Sequence, residues 1–247
     1  MWQFWVDRGG TFTDCVGKDP ETGQLHVVKL PSTDAAPVTA IRKILGCPSG
    51  PLPPCQVVLA TTLGTNALLQ RRGAPTALIV TRGFADLLAI GDQTRPQLFA
   101  YHVVKQSLAA AVTIETSLRL DRDGRVLDEL DFPALERQLQ EAQAQGVVSV
   151  AVSILNAHRA PDVEQALAAR ISALGLRHVT AASQVGGAQG YLARTETALV
   201  DAYLTPLLAD YLRQVAQELG APAAAPNATS AATLSLIHIS EPTRRTP

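Results

Sequence analysis

Three short β-rich runs open the chain, WQFWVDR, TFTDCVGKD and QLHVVKL. Gly9-Gly10 separates the first pair and Pro-Glu-Thr-Gly the second, both turn chemistry, so the pattern predicts an antiparallel meander. The period then changes. In DAAPVTAIRKILG, Val38, Ile41, Ile44 and Leu45 recur at helical spacing and Gly46 supplies a stop. After the Pro-rich loop CPSGPLPPC, strand-like and helical runs alternate: QVVLATT, GTNALLQRRG, PTALIVT and GFADLLAIG. Such alternation predicts parallel strands joined by crossover helices.

The pattern over residues 92–220 predicts a second α/β unit. An irregular stretch from Asp92 to about Ala110 precedes a strand pair in VTIETSLRLDRDGRVLD, turned at Asp123-Gly124. A helix near Pro133–Gln145, a buried strand VVSVAVSIL, a helix near Asp162–Leu174, a short strand RHVTAAS and a long helix from about Thr195 to Leu219 follow. The last helix carries Leu199, Tyr203, Leu207, Tyr211 and Leu212 largely on one stripe. Residues 221–247 read as a linker followed by a tail, LSLIHISEPTRRTP, that resembles translated adapter sequence; the tail is expected to be non-native, and the chain a truncated piece. The expected fold class is α/β. The order βββαβαβα over residues 1–91 is that of a ribonuclease H-like lobe as used by actin-like ATPases.

Charge and cysteine usage narrow the partner. The 247 residues carry a net charge of −1 with no Lys/Arg block, which leaves no footprint for nucleic acid or an anionic membrane surface and favours a small molecule. Three cysteines without CxxC spacing and five histidines that never pair at ligand spacing support neither a disulfide framework nor a zinc site. No basic-then-apolar leader opens the chain, and no apolar stretch reaches the roughly 20 residues of a membrane span, so a soluble, cytoplasmic protein is expected.

The candidate chemistry lies in DRGGTFTD. Asp7 ends the first strand, and Gly9-Gly10 form a turn in which missing β-carbons permit positive φ and close approach of a phosphate to backbone N–H groups. Thr11 and Thr13 add hydroxyls. A carboxylate repels phosphate, so Asp7 suits Mg²⁺, held through water, while Asp14 supplements the metal or fixes the hairpin. Gly-Gly is equally the turn of an ordinary hairpin.

Other residues carry two readings each. Thr61, Thr62 and Asn66 lie where a strand should meet a helix, the ligand-facing edge of an open α/β sheet, or serve as helix caps. Arg82 follows the next strand, a candidate for a substrate carboxylate or a surface arginine. Gln93 and Arg95 sit in the irregular loop, where binding residues and solvated ones both occur. Asp121 and Asp123 have the look of metal ligands but read more readily as a turn, His102 and His158 read as structural, and Glu196 and Asp201, within reach of an active site, read more readily as solvated helix residues.

DRGGTFTD resembles the N-terminal phosphate loop of the hydantoinase A/5-oxoprolinase family. TTLGTNALLQRRGAPTALIVTRGFADLLAIG, VVSVAVSILNAHRAPDVEQ and ARTETALVDAYLTPLLADYL agree with it in order, over roughly residues 2 to 219. Arg8 and the stretch IGDQTRPQLF are similar to the 5-oxoprolinase branch. The resemblance implies an actin-like ATPase core using ATP and Mg²⁺, with Arg8, Gly9, Gly10 and Thr11 at the nucleotide and Asp7, Thr13 and Asp14 at the chemistry. It also implies a cyclic-amide substrate: ATP phosphorylates the amide oxygen, and water opens the ring, giving glutamate from 5-oxoproline. A subunit of an N-methylhydantoinase or ketone carboxylase, and a non-catalytic fragment, are the alternatives. The implied partners are a missing C-terminal region or a hydantoinase B-type subunit, in a homo- or hetero-oligomer. Nucleotide in such cores lies between two lobes with a phosphate loop each, and one DxGGT is present.

Overall fold

A computed structural model describes residues 1–92, 94, 99, 110–185 and 190–220. Gln93, Arg95, His102 and the tail 221–247 lie outside the described residues. The chain divides into two compact units, the first comprising Met1–Arg72 and the chain from Leu207, the second Gly73–Pro206.

The first unit contains β1 (Trp2–Arg8), β2 (Phe12–Lys18), β3 (Leu25–Pro31), α1 (Ala36–Leu45), β4 (Cys55–Thr61) and α2 (Leu63–Leu69). Its sheet has the order β3-β2-β1-β4, antiparallel through the meander and parallel between β1 and β4. Alternation along β1 turns Phe4 and Val6 inward, where they pack with Cys15, Ile41, Leu59, Tyr211 and Val215. Burial pushes the Cys15 thiol up to about 11, so it is a core residue rather than a reactive one. α1 stops at Gly46, whose φ of 68° is left-handed, and the Cys47 N–H donates to the Arg42 carbonyl at 3.0 Å.

The second unit contains β5 (Thr76–Thr81), α3 (Leu87–Ile90), β6 (Val112–Thr116), β7 (Arg119–Leu120), β8 (Val126–Asp128), α4 (Phe132–Ala144), β9 (Ser149–Ser153), α5 (Pro161–Ser172), β10 (His178–Ala181) and α6 (Ala182–Val185). α7 (Tyr191–Glu218) begins there, and the boundary between units falls within it, after Pro206. The parallel sheet has the order β10-β9-β5-β6. Every residue of β5 and β9 is buried, as central parallel strands covered on both faces require. Ala77, Ile79, Val150 and Val152 join one core with residues of α4 and α5; Leu78, Val80 and Ala151 join the other with Ala198, Leu199 and Ala202 of α7.

The element order over the first 91 residues follows the sequence pattern, but β5 pairs with β9 and β6 instead of extending the first sheet. The reason is pairing capacity: β5 finds a partner on each edge in the second sheet, a choice that local periodicity does not encode. β6 likewise joins this parallel sheet, and the hairpin at Asp123-Gly124 is the short pair β7–β8.

Phe4 and Gly17 are directly opposed across β1 and β2, and a β-carbon on Gly17 would come within 2.7 Å of Phe4 Cε1. The glycine makes room for the ring. Gly17→Ala is expected to cost about 1–3 kcal/mol in urea unfolding by overpacking this contact.

Candidate functional site

The exposed residues of β1 are Trp5 and Asp7. Asp7 is in register with Asp14 of β2, so two carboxylates stand opposite each other on the outer face, an arrangement that is unfavourable without a balancing cation. Asp14 has one: Lys29 of β3, opposite it, places Nζ 3.1 Å from Oδ1. The Asp7 carboxylate is exposed, and it has no hydrogen bond or ion pair among the described residues.

The loop between β1 and β2 is closed by the Gly9 N–H, which donates to the Phe12 carbonyl at 3.0 Å. Neither Gly9 nor Gly10 adopts the left-handed backbone that the Gly-Gly pair suggested. Space is the reason for glycine: a β-carbon on Gly9 would lie 3.0 Å from the Phe12 carbonyl oxygen, and one on Gly10 would lie 3.2 Å from Asn66 Nδ2. Among the described residues, the Gly10 and Thr11 N–H groups donate to no backbone carbonyl. Thr11 is exposed.

Ser32 supports the loop from inside. Its hydroxyl donates to the Gly9 carbonyl at 2.8 Å, its N–H donates to the Thr11 carbonyl at 2.9 Å, and its Oγ lies 3.0 Å from Thr13 Oγ1. Thr13 is fully buried, so its hydroxyl is directed to this support. Arg8 is also engaged: its guanidinium reaches Asp34 at 2.7 Å and stacks over the Tyr211 ring at 4.7 Å from the centroid. Burial pushes the Tyr211 phenol up to about 12, and its hydroxyl has no hydrogen-bond partner among the described residues.

α2 brings Thr62 and Asn66 to the same loop. The Thr62 N–H donates to the Arg8 carbonyl at 3.1 Å, tying the ends of β1 and β4 together, and its hydroxyl reaches the same oxygen at 3.4 Å. Asn66 Nδ2 donates to Thr62 Oγ1 at 3.4 Å. Thr62 occupies the N-cap position without a side-chain cap bond, and the Thr61 hydroxyl accepts the Leu63 N–H at 3.1 Å instead. Asp7, Gly9, Gly10, Thr11, Asp14, Thr62 and Asn66 thus meet at the end of β1, while Arg8 and Thr13 turn away into protein contacts.

Arg82 belongs to the second unit. It is exposed and lines an open cleft of about 420 Å³ with Arg119, Asp128 and Glu129. Asp121 accepts the N–H groups of Asp123 and Arg125, each at 2.8 Å; the Arg125 bond foremost holds its carboxyl below the usual range, and the pair is a turn. Asp201 accepts from the Thr180 hydroxyl at 2.7 Å, and Glu196 is exposed. Among the described residues, no three His, Cys, Asp or Glu side chains gather as a metal site. No described helix is long and apolar enough to cross a membrane.

Residues 3–175 match a family model described as the hydantoinase/oxoprolinase N-terminal region. The chain belongs to this family. It is 35% identical to 5-oxoprolinase 1 of Arabidopsis thaliana in an alignment that covers 85% of this chain and 19% of the relative. The crystal structure of ATP-dependent caprolactamase from Pseudomonas jessenii superposes with a TM-score of 0.73 at 27% identity, over 89% of this chain and 34% of that one. Nucleotide-free acetone carboxylase shares the fold, with a TM-score of 0.66 at 21% identity over 88% of this chain and 33% of that one. The α/β class and the actin-like ATPase architecture are those of the family. The chain spans about a fifth of the curated 5-oxoprolinase.

Sequence reasoning missed Ser32, Asp34 and Arg194. The first two lie in an undistinguished PSTD stretch, where no local pattern marks the contacts they make. Arg194 was legible: it follows Tyr191 by three residues and precedes Ala198 by four, which puts a charge on the inward stripe of α7.

Tyr211→Phe keeps the ring under Arg8 and removes a buried hydroxyl without a described partner. The variant is expected to match the parent or exceed it by up to about 1 kcal/mol in urea unfolding, whereas a cost above about 1 kcal/mol would show a partnered hydroxyl.

Proposed function

We propose that this chain is the N-terminal part of an ATP-dependent 5-oxoprolinase, which hydrolyses 5-oxo-L-proline to L-glutamate coupled to ATP hydrolysis in the cytoplasm. The observation that carries the reading is the loop at the end of β1. It combines two undonated N–H groups, Gly10 and Thr11, with an unpaired carboxylate, Asp7, on one end of the sheet. Family membership and the similarity to a 5-oxoprolinase supply the chemistry that such a loop would serve.

In this reading the Gly10 and Thr11 N–H groups and the Thr11 hydroxyl donate to phosphate oxygens of ATP. The glycines keep the approach open, since a β-carbon at Gly10 would crowd the Asn66 amide. Asn66 and Thr62 fix the far wall of the loop, and Ser32 and Thr13 hold it from within. Asp7 would hold Mg²⁺ through water, and Asp14, already balanced by Lys29, would shape that site rather than ligate. Mg²⁺ there would neutralise phosphate charge during transfer to the lactam oxygen. Arg8, paired with Asp34 and stacked on Tyr211, orients the end of β1.

A second reading is favoured by the superposition on caprolactamase: a cyclic amide lacking a carboxylate as substrate. The two are separated with the product of the complete reading frame, by measuring ADP release with 5-oxo-L-proline, caprolactam, hydantoin and N-methylhydantoin in parallel. Release dependent on 5-oxo-L-proline is expected, and release dependent on another ring alone would replace the substrate. Asp7→Ala should lower this rate by at least about 100-fold, a loss typical of a group that stabilises transferring phosphate. An unchanged rate would remove Asp7 from the chemistry.

A further inference from the structure

The second unit holds a buried cation that no described group satisfies. Arg194 is 1% exposed, and its Nε, Nη1 and Nη2 all lack a hydrogen-bond partner among the described residues. Guanidinium groups are rarely buried unless something accepts their five N–H hydrogens. The polar side chains beside it are already committed. The Tyr191 hydroxyl donates to the Ser153 carbonyl at 2.9 Å. Thr195 donates to the Tyr191 carbonyl at 2.8 Å and lies 2.7 Å from Ser153 Oγ. Glu164, fully buried, accepts the Ile154 N–H at 2.7 Å and the Ser183 N–H at 2.6 Å through its two oxygens. No ion pair within 4.0 Å joins it to Arg194 among the described residues.

The position in the sheet is equally specific. In the order β10-β9-β5-β6, the chain moves one way from β5 to β6 and the other way from β9 to β10, so the direction reverses between β5 and β9. In open parallel sheets, ligands bind at the carboxyl ends of the strands at such a reversal. Ser153 ends β9, and Tyr191 and Thr195 of α7 are bonded to it there, with Arg194 between them in sequence.

We propose that Arg194 is the recognition group of a binding site for a small carboxylate, at the carboxyl ends of β5 and β9. Two parallel guanidinium N–H groups match a carboxylate in a bidentate pair. A monoanion is favoured over phosphate because the Glu164 carboxylate already lies at the end of β9, where it accepts the Ile154 N–H. His158, five residues beyond Ser153, is exposed, and it is held below its ordinary pKa first by desolvation and then by the charge of Arg194. That the carboxylate is that of 5-oxo-L-proline rests on the function proposed above; the existence of the site does not.

The test is thermal unfolding of the whole chain at constant ionic strength, with acetate, 5-oxo-L-proline, L-glutamate, caprolactam or inorganic phosphate. A saturable rise in Tm with a carboxylate, and none with caprolactam or phosphate, is expected. Arg194→Met should abolish the rise while melting at or above the ligand-free parent, because it removes an unsatisfied charge. Arg194→Lys, which keeps the charge and loses the fork, should bind at least about tenfold more weakly. No rise with any carboxylate, a rise retained in Arg194→Met, or a fall in the ligand-free Tm of that variant would overturn the proposal. A rise of equal size with phosphate would overturn the assignment to carboxylates. A rise with acetate but not with 5-oxo-L-proline would leave the site and remove that substrate from it.

Discussion

β1 is hydrogen-bonded on both edges, antiparallel to β2 and parallel to β4, and this double pairing is what the first unit depends on. It gives one strand two tasks. Its inward residues, Phe4 and Val6, anchor the core against α1, while its last outward residue, Asp7, is carried to the lip of the sheet by the same alternation. The loop beyond is held at both ends: Gly9 closes onto Phe12, and the Arg8 carbonyl receives the Thr62 N–H from the end of β4. A loop fixed in this way presents its free amides without reorganisation, which is the condition for electrostatic binding of phosphate.

The support of this loop is largely hidden from its own motif. Ser32 reaches back across the meander to three loop groups, and Asp34 takes the arginine that the motif places next to Asp7. The threonines and the arginine of DRGGTFTD therefore divide by their surroundings: Thr11, in the loop before β2, is exposed, Thr13, within β2, is buried against Ser32, and Arg8 is drawn to Asp34 and Tyr211. Contact between polar groups inside the protein decides which members of a motif remain available to a ligand.

The second unit solves a different problem, that of covering both faces of a parallel sheet. β5 and β9 have no exposed residue, so α4 and α5 cover one face and α7 the other. α7 meets this demand with small residues, Ala198 and Ala202, and places Arg194 on the same inward side. A polar residue in such a layer conflicts with local economy, and conflicts of this kind mark functional positions.

Much of this was legible in the chain itself. Alternation and turn residues located β1, β2 and β3; helical spacing and Gly46 located α1; and the spacing of carboxylate, glycines and hydroxyls marked the loop. These are local properties, written in contacts a few residues apart. The sheet to which β5 belongs, the inward turn of Thr13, the pairing of Arg8 with Asp34 and the burial of Arg194 are not local. Each depends on which distant segment supplies a hydrogen bond, a charge or a covering surface. The sequence by itself determined the elements and the chemistry available to them; the tertiary structure decided which of those groups are engaged by the fold and which are left without a partner inside it.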